Sequence, residues 1–334
     1  MLIINNFHAF PGKWQASTGE RGTSLQAAAA DDFLKLARTA PNSLFLVNCN
    51  PRLTLELGAA KLLRRTPVPL VSADLVLRTP STVSQKLVMA VKKPLFRQVD
   101  LYIHYFRDHR RFAETFGVAA NRHEFVPFKV NLGQRYKDLP DRPDGDYALC
   151  FGRSLRDFDT FFAAMERLPY PGAIAKVDPA QLTAHGARFS RPLSQLPANV
   201  RILDDDGSEE AQIRILGGAK IVVLPILKSS LVASGISTCL NAMQMAKCVI
   251  GSEGPGMSDI FGREIIAVPP EDPAALAVAI RRAWEDDSLR LRTAQAGRAY
   301  ALQAGGEQEL YQRIIDVIVS WQCTSPVAAD KLNV

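Results

Sequence analysis

Short apolar runs alternate with helical patterns along most of this 334-residue chain. The clearest unit begins with the apolar run 221–224, which stops at Pro225 as a buried parallel strand would. A loop with Ser and Gly follows. Ile236, Leu240 and Met243 then recur at spacings of four and three, which predicts a helix with one buried face.

A second strand, 247–250, and a glycine-bearing loop, 251–256, complete this unit. Glycine permits other groups to approach the backbone closely. Because the loops that follow parallel strands lie at the carboxyl edge of a sheet, where open α/β sheets bind ligands, we expect a binding site there.

The alternation of strands and helices recurs in both halves of the chain. The strands predicted in the first half are 2–5, 44–47, 68–71, 99–104 and 124–128, of which 68–71 contains a proline and is placed near a sheet edge. The strands predicted in the second half are 147–151, 173–175, 200–203, 221–224, 247–250 and 265–268. The pattern predicts an α/β protein with two Rossmann-like, doubly wound domains.

The domain boundaries follow from composition. The Pro- and Asp-rich stretch 137–146 is predicted to be a linker, so that residues 1–140 form the N-terminal domain and residues 147–305 the C-terminal domain. Residues 306–323 are predicted to form an amphipathic helix that could pack back toward the N-terminal domain. The remainder, 324–334, is predicted to be a tail.

Composition narrows the class of protein. A net charge of +6 permits attraction to anionic lipid or phosphate but does not require a nucleic-acid partner, and we predict none. The five cysteines are scattered without CxxC spacing, which favours reduced core residues in a cytoplasmic protein without a structural zinc site. Neither a signal peptide nor a membrane-spanning run is recognised, so any contact with the membrane is expected to be peripheral, at its inner face.

One segment, 84–97, combines an apolar stripe with a basic surround. The stripe is Leu87, Val88, Val91 and Leu95, and the cations around it are Lys86, Lys92, Lys93 and Arg97. Such a segment can lie on an anionic membrane. The alternative is an ordinary surface helix with a solvated basic face, which we favour because Pro94 interrupts the pattern.

Residues 10–24 are polar and follow the first strand, with a helix predicted at 25–37. A loop in this place often contacts a ligand in a Rossmann-type unit, which makes Gly12 a candidate contact with the donor substrate. A surface loop without function is the alternative. The chain has no G-x-G-x-x-G after this strand, no P-loop and no G-x-S-x-G.

Two groups of residues are suited to a diphosphate. Gly152 and Arg153 follow the strand at 147–151, with Arg156 close behind, and arginine binds phosphate through paired hydrogen bonds. The alternative for each arginine is a surface salt bridge.

The second group is the predicted start of a helix, whose free N–H groups and dipole attract anions. Its residues are Ser234, Gly235, Ser237 and Thr238, with Lys228 nearby and Asn241 one turn further on. The hydroxyls could instead cap the helix. Asn241 is a candidate for a ribose hydroxyl, or else an ordinary solvent-facing residue.

Metal chemistry has little support. The triplet Asp204–Asp206 is similar to the acidic triplet of metal-dependent sugar transferases, but a loop that caps the helix from Ser208 is the favoured interpretation. The histidines lack metal-binding spacing, and His104 is interpreted as a structural residue at a strand end. We predict no metal ligand and no cofactor.

Residues 147–300 resemble the donor-binding domain of GT-B glycosyltransferases, most closely glycosyltransferase family 4. The resemblance is carried by FGRSLRDFDTFFAAM, NVRILDDDGSEEAQIRILGGAKIVVLPI, GISTCLNAMQMAKCVIGSEGPGMSDIF and IIAVPPEDPAALAVAIRRAWEDD. It implies two Rossmann-like domains that face each other across a cleft. It also implies metal-independent transfer of a sugar from a nucleotide donor, with retention at the anomeric carbon.

By this resemblance Arg153 takes the place of the family's diphosphate-binding arginine, and Arg156 that of the lysine which follows it, at a shorter spacing. The family's two glutamates fall at about Ala233 and at Asn241, so neither carboxylate is present. We expect UDP rather than GDP in the donor, and a saccharide acceptor, lipid-linked on polyprenyl, in bacterial exopolysaccharide or surface-polysaccharide assembly.

Two other functions stay open. The missing glutamates would suit a non-catalytic protein that binds sugar nucleotides or serves as a scaffold. A phosphate-ligand epimerase of related architecture would need carboxylates and a histidine that the pattern does not place.

Overall fold

The structure, a computed structural model, describes residues 1–80, 82–132 and 145–324. The chain divides into two compact units, Phe128–Glu307 and the residues on either side of it, Met1–Pro127 with the chain from Gln308 onward. Most of the predicted linker, and the predicted tail beyond Thr324, lie outside the described residues.

The first unit contains a seven-stranded sheet in the order β2-β3-β1-β4-β5-β6-β7. Its strands are β1 (Leu2–Asn5), β2 (Lys13–Gln15), β3 (Arg21–Gln26), β4 (Ser43–Asn48), β5 (Leu70–Ala73), β6 (Leu101–His104) and β7 (His123–Phe125). Its helices are α1 (Ala30–Thr39), α2 (Pro51–Leu62), α3 (Val83–Phe96), α4 (Arg110–Phe116) and α11 (Glu307–Thr324). Neighbouring strands are parallel apart from β2 and β3.

Three predictions for the first unit are wrong. The stretch 10–24 is not a loop, because it contains β2 and most of β3, and the helix predicted from Leu25 begins only at Ala30. The strand predicted near an edge, β5, lies inside the sheet between β4 and β6. Pro69 precedes this strand, and its carbonyl accepts a hydrogen bond from Phe45 N at 2.9 Å, so the missing N–H interrupts no ladder.

The second unit contains a six-stranded parallel sheet in the order β10-β9-β8-β11-β12-β13. Its strands are β8 (Tyr147–Cys150), β9 (Gly172–Ala175), β10 (Val200–Leu203), β11 (Ala219–Leu224), β12 (Cys248–Ser252) and β13 (Ile266–Val268). Its helices are α5 (Phe158–Met165), α6 (Pro179–Ala184), α7 (Glu209–Gly217), α8 (Ile236–Gln244), α9 (Pro273–Glu285) and α10 (Asp287–Ala304). The order is that of a Rossmann sheet, third-second-first-fourth-fifth-sixth.

The core of the second unit has two layers because alternate residues of each strand face opposite sides. Ile221 of β11 packs into one layer with Phe161 of α5, whereas Val222 packs into the other with Leu240 of α8. Helices therefore cover both faces of the sheet, and the doubly wound α/β architecture is confirmed.

The glycine-bearing loop after β12 approaches the protein's own backbone. Gly256 has a φ of 78°, and a Cβ at this position would lie 2.4 Å from the Cα of Ala233. Only glycine fits this contact. The close approach predicted for this loop is thus made to the segment just before α8.

Candidate functional site

A cavity of about 540 Å³ opens at the carboxyl edge of the second sheet. Its wall includes Gly152 after β8, Lys176 after β9, Asp205 after β10, and the first turn of α8, which follows β11. The strand order reverses between β8 and β11, and such a reversal is where open α/β sheets bind ligands. The cavity thus coincides with the edge at which the sequence predicts a binding site.

A buried arginine lies next to this cavity. Arg156 is only 1 % exposed, and its Nε and Nη1 atoms have no hydrogen-bond partner within the described structure. Burial lowers the pKa of Arg156 from its ordinary value, but a guanidinium remains protonated in proteins. An unpaired buried cation is costly, so its retention calls for a function.

The backbone on both sides of Arg156 is held in place. Its carbonyl accepts a hydrogen bond from Arg188 N at 2.8 Å, and Asp157 N donates to Pro225 O at 2.8 Å. The carboxylate of Asp157 is already engaged, because it caps α5 through Thr160 N at 3.1 Å and pairs with the Arg188 guanidinium. The nearest acid in the sequence is therefore occupied by other partners.

The guanidinium lies against the start of α8. This helix follows Gly235, which has a φ of 84° and provides no side-chain cap. A Cβ at Gly235 would lie 2.9 Å from Arg156 Nη2, and one at Gly152 would lie 2.6 Å from the same atom. Both glycines therefore make room for the cation. The amino end of a helix and a guanidinium are both positive, so the arrangement favours a bound anion.

Five residues predicted from the sequence line the cavity together. They are Gly152, Arg153, Ser237, Thr238 and Asn241. Unlike Arg156, Arg153 is exposed, and its Nη1 donates to Gln181 Oε1 at 3.1 Å. The two arginines thus differ, since Arg156 is buried beside the cavity whereas Arg153 is an exposed residue of its wall.

Asn241 has a partner within its own unit. It is 4 % exposed, and its Oδ1 accepts hydrogen bonds from the backbone N–H of Asn131 at 3.0 Å and of Leu132 at 3.4 Å. The Asn131 side chain also donates to the Ser237 hydroxyl. The interpretation of Asn241 as a solvent-facing residue is therefore wrong, and its side chain anchors the segment 131–132 to α8.

The other five predicted residues are not among those that line this cavity: Gly12, Arg156, Lys228, Ser234 and Gly235. Lys228 is exposed, and its backbone N–H donates to Glu271 Oε1 at 3.3 Å. Ser234 is buried, with its hydroxyl 3.1 Å from that of Ser230. Gly12 belongs to the first unit and is exposed.

The sequence did not single out several polar residues of the wall. They include Lys176, Asp178, Gln181 and Gln212. Their signal was weak, because each lies in a loop or short helix after a strand, and only the sheet order brings those strand ends together. The cavity consequently has carboxylates as well as cations on its wall.

The acidic triplet organises a loop. Asp205 Oδ1 accepts from Gly207 N and Asp206 Oδ1 accepts from Ser208 N, each at 2.9 Å. Ser208 itself caps α7, through its hydroxyl and Ala211 N. In the part of the chain that the structure describes, no group of three or more His, Cys, Asp or Glu side chains is arranged to hold a metal ion.

The fold is similar to that of known glycosyltransferases. Residues 147–286 match the family described as glycosyl transferases group 1, which confirms the resemblance predicted from the sequence. The match lies within the second unit and covers less than half of the chain. No curated protein sequence matches the chain.

Solved structures with the same fold are GT-B glycosyltransferases, so the predicted GT-B class with two Rossmann-like domains is confirmed. HepE from Anabaena, in complex with UDP, is 14% identical over 89% of this chain and 85% of its own, with a TM-score of 0.65. Sucrose-phosphate synthase from Thermosynechococcus elongatus is 18% identical over 97% of this chain and 89% of its own, with a TM-score of 0.65. The trehalose-6-phosphate synthase OtsA is 12% identical over 87% of this chain and 74% of its own, with a TM-score of 0.60.

Proposed function

We propose that this protein is a retaining, metal-independent glycosyltransferase that takes a sugar from a nucleoside-diphosphate donor, with UDP rather than GDP as the carrier. The observation that carries the proposal is the buried guanidinium of Arg156, whose Nε and Nη1 lack hydrogen-bond partners in the described structure, at the uncapped start of α8. The family match of residues 147–286 supports it, as does the likeness to HepE, whose structure holds UDP.

The arrangement suits departure of a diphosphate. When the bond between the anomeric carbon and the phosphate oxygen breaks, negative charge grows on the leaving group. Arg153, Arg156 and the free N–H groups of α8 would stabilise this charge. Because Arg156 and the first turn of α8 are held in place before the reaction, they can replace the divalent cation that other transferases use.

The wall of the cavity has room for the rest of the nucleotide. A volume of about 540 Å³ is within the range of small-molecule sites. Thr238 and Asn241 lie on this wall one helical turn apart, where polar groups could meet ribose hydroxyls. The Oδ1 atom of Asn241 is engaged with backbone amides, so its amide nitrogen would make that contact.

For the second substrate we propose a saccharide carried on a polyprenyl lipid, in polysaccharide assembly at the inner face of the cytoplasmic membrane. The support is the cationic stretch 75–99 of the first unit, which has no acidic residue. A lipid-linked acceptor stays at the membrane surface, so its enzyme must work there.

A second candidate function is a sugar-nucleotide-binding or scaffold protein without catalysis. Ala233 and Asn241 occupy the places where the family has glutamates. Gly256 packs closely against Ala233, and the backbone N–H of Asn131 donates a hydrogen bond to Asn241. Such a protein would bind the donor without transferring the sugar.

Thermal unfolding in the presence of UDP, GDP and their sugars tests the donor site. We expect UDP and a UDP-sugar to raise the unfolding midpoint more than GDP does, and stabilisation by no nucleotide would refute the proposal. Release of UDP with saccharide acceptors on polyprenyl diphosphate then separates the two candidates. If the transferred sugar has the same anomeric configuration in the product as in the donor, the result supports a retaining enzyme. Tight binding without transfer supports the scaffold.

A further inference from the structure

The amino-terminal half of α3 projects from the first unit with its apolar side chains uncovered. Val83 is 76 % exposed, Leu87 65 %, Val88 51 % and Val91 75 %. Val83, Leu87 and Val91 recur every fourth residue and so form one stripe along the helix, with Val88 beside it. We call these four residues the α3 stripe.

This half of the helix is stabilised by hydrogen bonds at its amino end instead of by packing. The Thr82 hydroxyl accepts from Gln85 N at 3.2 Å, and the Gln85 side chain accepts from Thr82 N at 3.3 Å, which is a capping box. Two orphan donors of the first turn are thereby satisfied. The segment can remain helical while its apolar side faces solvent.

The other half of α3 is anchored in the unit. Phe96 is 1 % exposed, and Gly58 of α2 lets the helix approach so closely that a Cβ there would lie 2.6 Å from Leu95 O. Pro94 lies inside α3 without ending it, so the expectation that it interrupts the helical pattern is wrong. The α3 stripe therefore lies on the exposed end of a helix whose other end is packed into the unit.

The charges around the stripe have one sign. Residues 75–99 contain five cations, Arg78, Lys86, Lys92, Lys93 and Arg97, and no Asp or Glu. They account for +5 of the chain's net charge of +6. At 100° per residue, Lys86 and Lys93 lie on one side of the stripe and Lys92 on the other. An apolar strip is thus bordered by lysines on both sides.

We propose that the α3 stripe is a docking surface for an anionic lipid bilayer, on which α3 lies parallel to the membrane plane. The four apolar side chains would enter the boundary between headgroups and acyl chains, and the lysines would extend to lipid phosphates. No helix in the described parts of the chain is long and apolar enough to cross a bilayer, so the contact is with one leaflet.

A lipid surface fits this face better than a soluble protein does. A protein groove that receives an apolar helix normally covers one stripe, and it would need acidic groups along both rims to match these cations. A membrane with anionic headgroups supplies negative charge on every side of the inserted strip. The inference does not need the glycosyltransferase activity, although a lipid-linked acceptor would be met at the same surface.

Co-sedimentation with vesicles of phosphatidylcholine and phosphatidylglycerol in equal parts tests the proposal on the whole chain. The wild-type protein should bind these vesicles, bind pure phosphatidylcholine much less, and dissociate in part at high salt. The double variant Leu87→Asp with Val91→Asp should lower the partition coefficient by more than about tenfold. Val278→Asp is the matched control, because Val278 is 68 % exposed on α9 of the second unit, and it should not change binding.

A charge variant separates the electrostatic contribution to membrane binding from the apolar one. Lys86→Glu with Lys92→Glu should weaken binding by at least about fivefold for each cation removed, whereas Lys13→Glu with Lys35→Glu, which makes the same change in net charge, should have a small effect. UDP binding and the circular dichroism spectrum report folding and the donor site in every variant. Failure of the wild-type protein to bind anionic vesicles would overturn the proposal. So would a self-association that depends on Leu87 while vesicle binding does not.

Discussion

Replacing Arg156 with methionine should make the free protein more stable while it removes nucleotide binding. Two guanidinium nitrogens lack partners, and each buried unsatisfied donor costs about 1–3 kcal/mol. Methionine fills much of the same space without a charge. Replacement of buried charges by apolar residues of similar volume often stabilises a protein by about 1–4 kcal/mol.

For a unit of this size, each kcal/mol corresponds to roughly 2–4 °C in the unfolding midpoint. We therefore expect the midpoint of Arg156→Met to rise by at least about 2 °C in the absence of nucleotide. The affinity for UDP should fall by more than about tenfold, because a charge-assisted hydrogen bond contributes about 1.5–3 kcal/mol.

Differential scanning calorimetry with and without UDP measures both effects on one sample. Arg156→Lys is the matched control, since it keeps the charge without the planar fork and should retain part of the binding. A variant that unfolds at a lower midpoint, and binds UDP as the wild-type protein does, would refute the reasoning. Arg156 would then be a structural residue.

The other predictions concern a glycine, a histidine and an amide. Gly152→Ala should weaken UDP binding by about tenfold in calorimetric titration, because Gly152 has a φ of 98° and its new methyl would lie 2.6 Å from Arg156 Nη2; unchanged affinity would contradict this. Burial lowers the pKa of His123 from its ordinary value to about 4, so the unfolded chain binds the proton more readily. The contribution of the neutral His123 side chain to stability is complete above pH 6.5 and is lost as the pH falls toward 4. The unfolding midpoint should therefore drop over this range, and His123→Gln should make the midpoint less dependent on pH. Asn241→Ala should lower the free energy of unfolding in urea by about 1–3 kcal/mol, because it leaves the N–H of Asn131 without an acceptor. Asn241→Asp retains an acceptor oxygen and should keep the free energy of unfolding of the wild-type protein. Equal stability of both variants would count against this role.

Apart from β3, the parallel strands of both units could be predicted because each contains a short apolar run between helical patterns. The pair β2 and β3 could not be predicted in this way. Most of their side chains are exposed, and only Trp14 and Ser24 are buried, so the strands lack an apolar run. Their pairing depends on the sheet beside them rather than on their own composition.

The candidate site was predictable in its residue types but not in its detail. Gly152, Arg153 and Thr238 lie on the cavity wall, as their positions after strands suggest. The contrast between a buried Arg156 and an exposed Arg153 depends on Gly152 and Gly235, which leave space for the guanidinium, and Gly235 is far from Arg156 in the sequence. Similarly, the bond between Asn241 and Asn131 joins residues 110 positions apart, and no local pattern reveals it.

The central claim is that the cavity beside Arg156 binds the diphosphate of a nucleotide. Titration calorimetry of the wild-type protein with UDP and with uridine tests it most directly, because the two ligands differ only in the diphosphate. We expect one site for UDP and an affinity for uridine at least about a hundredfold weaker, because the diphosphate would make two charge-assisted contacts. Equal affinity for UDP and uridine, or no binding of UDP, would contradict it.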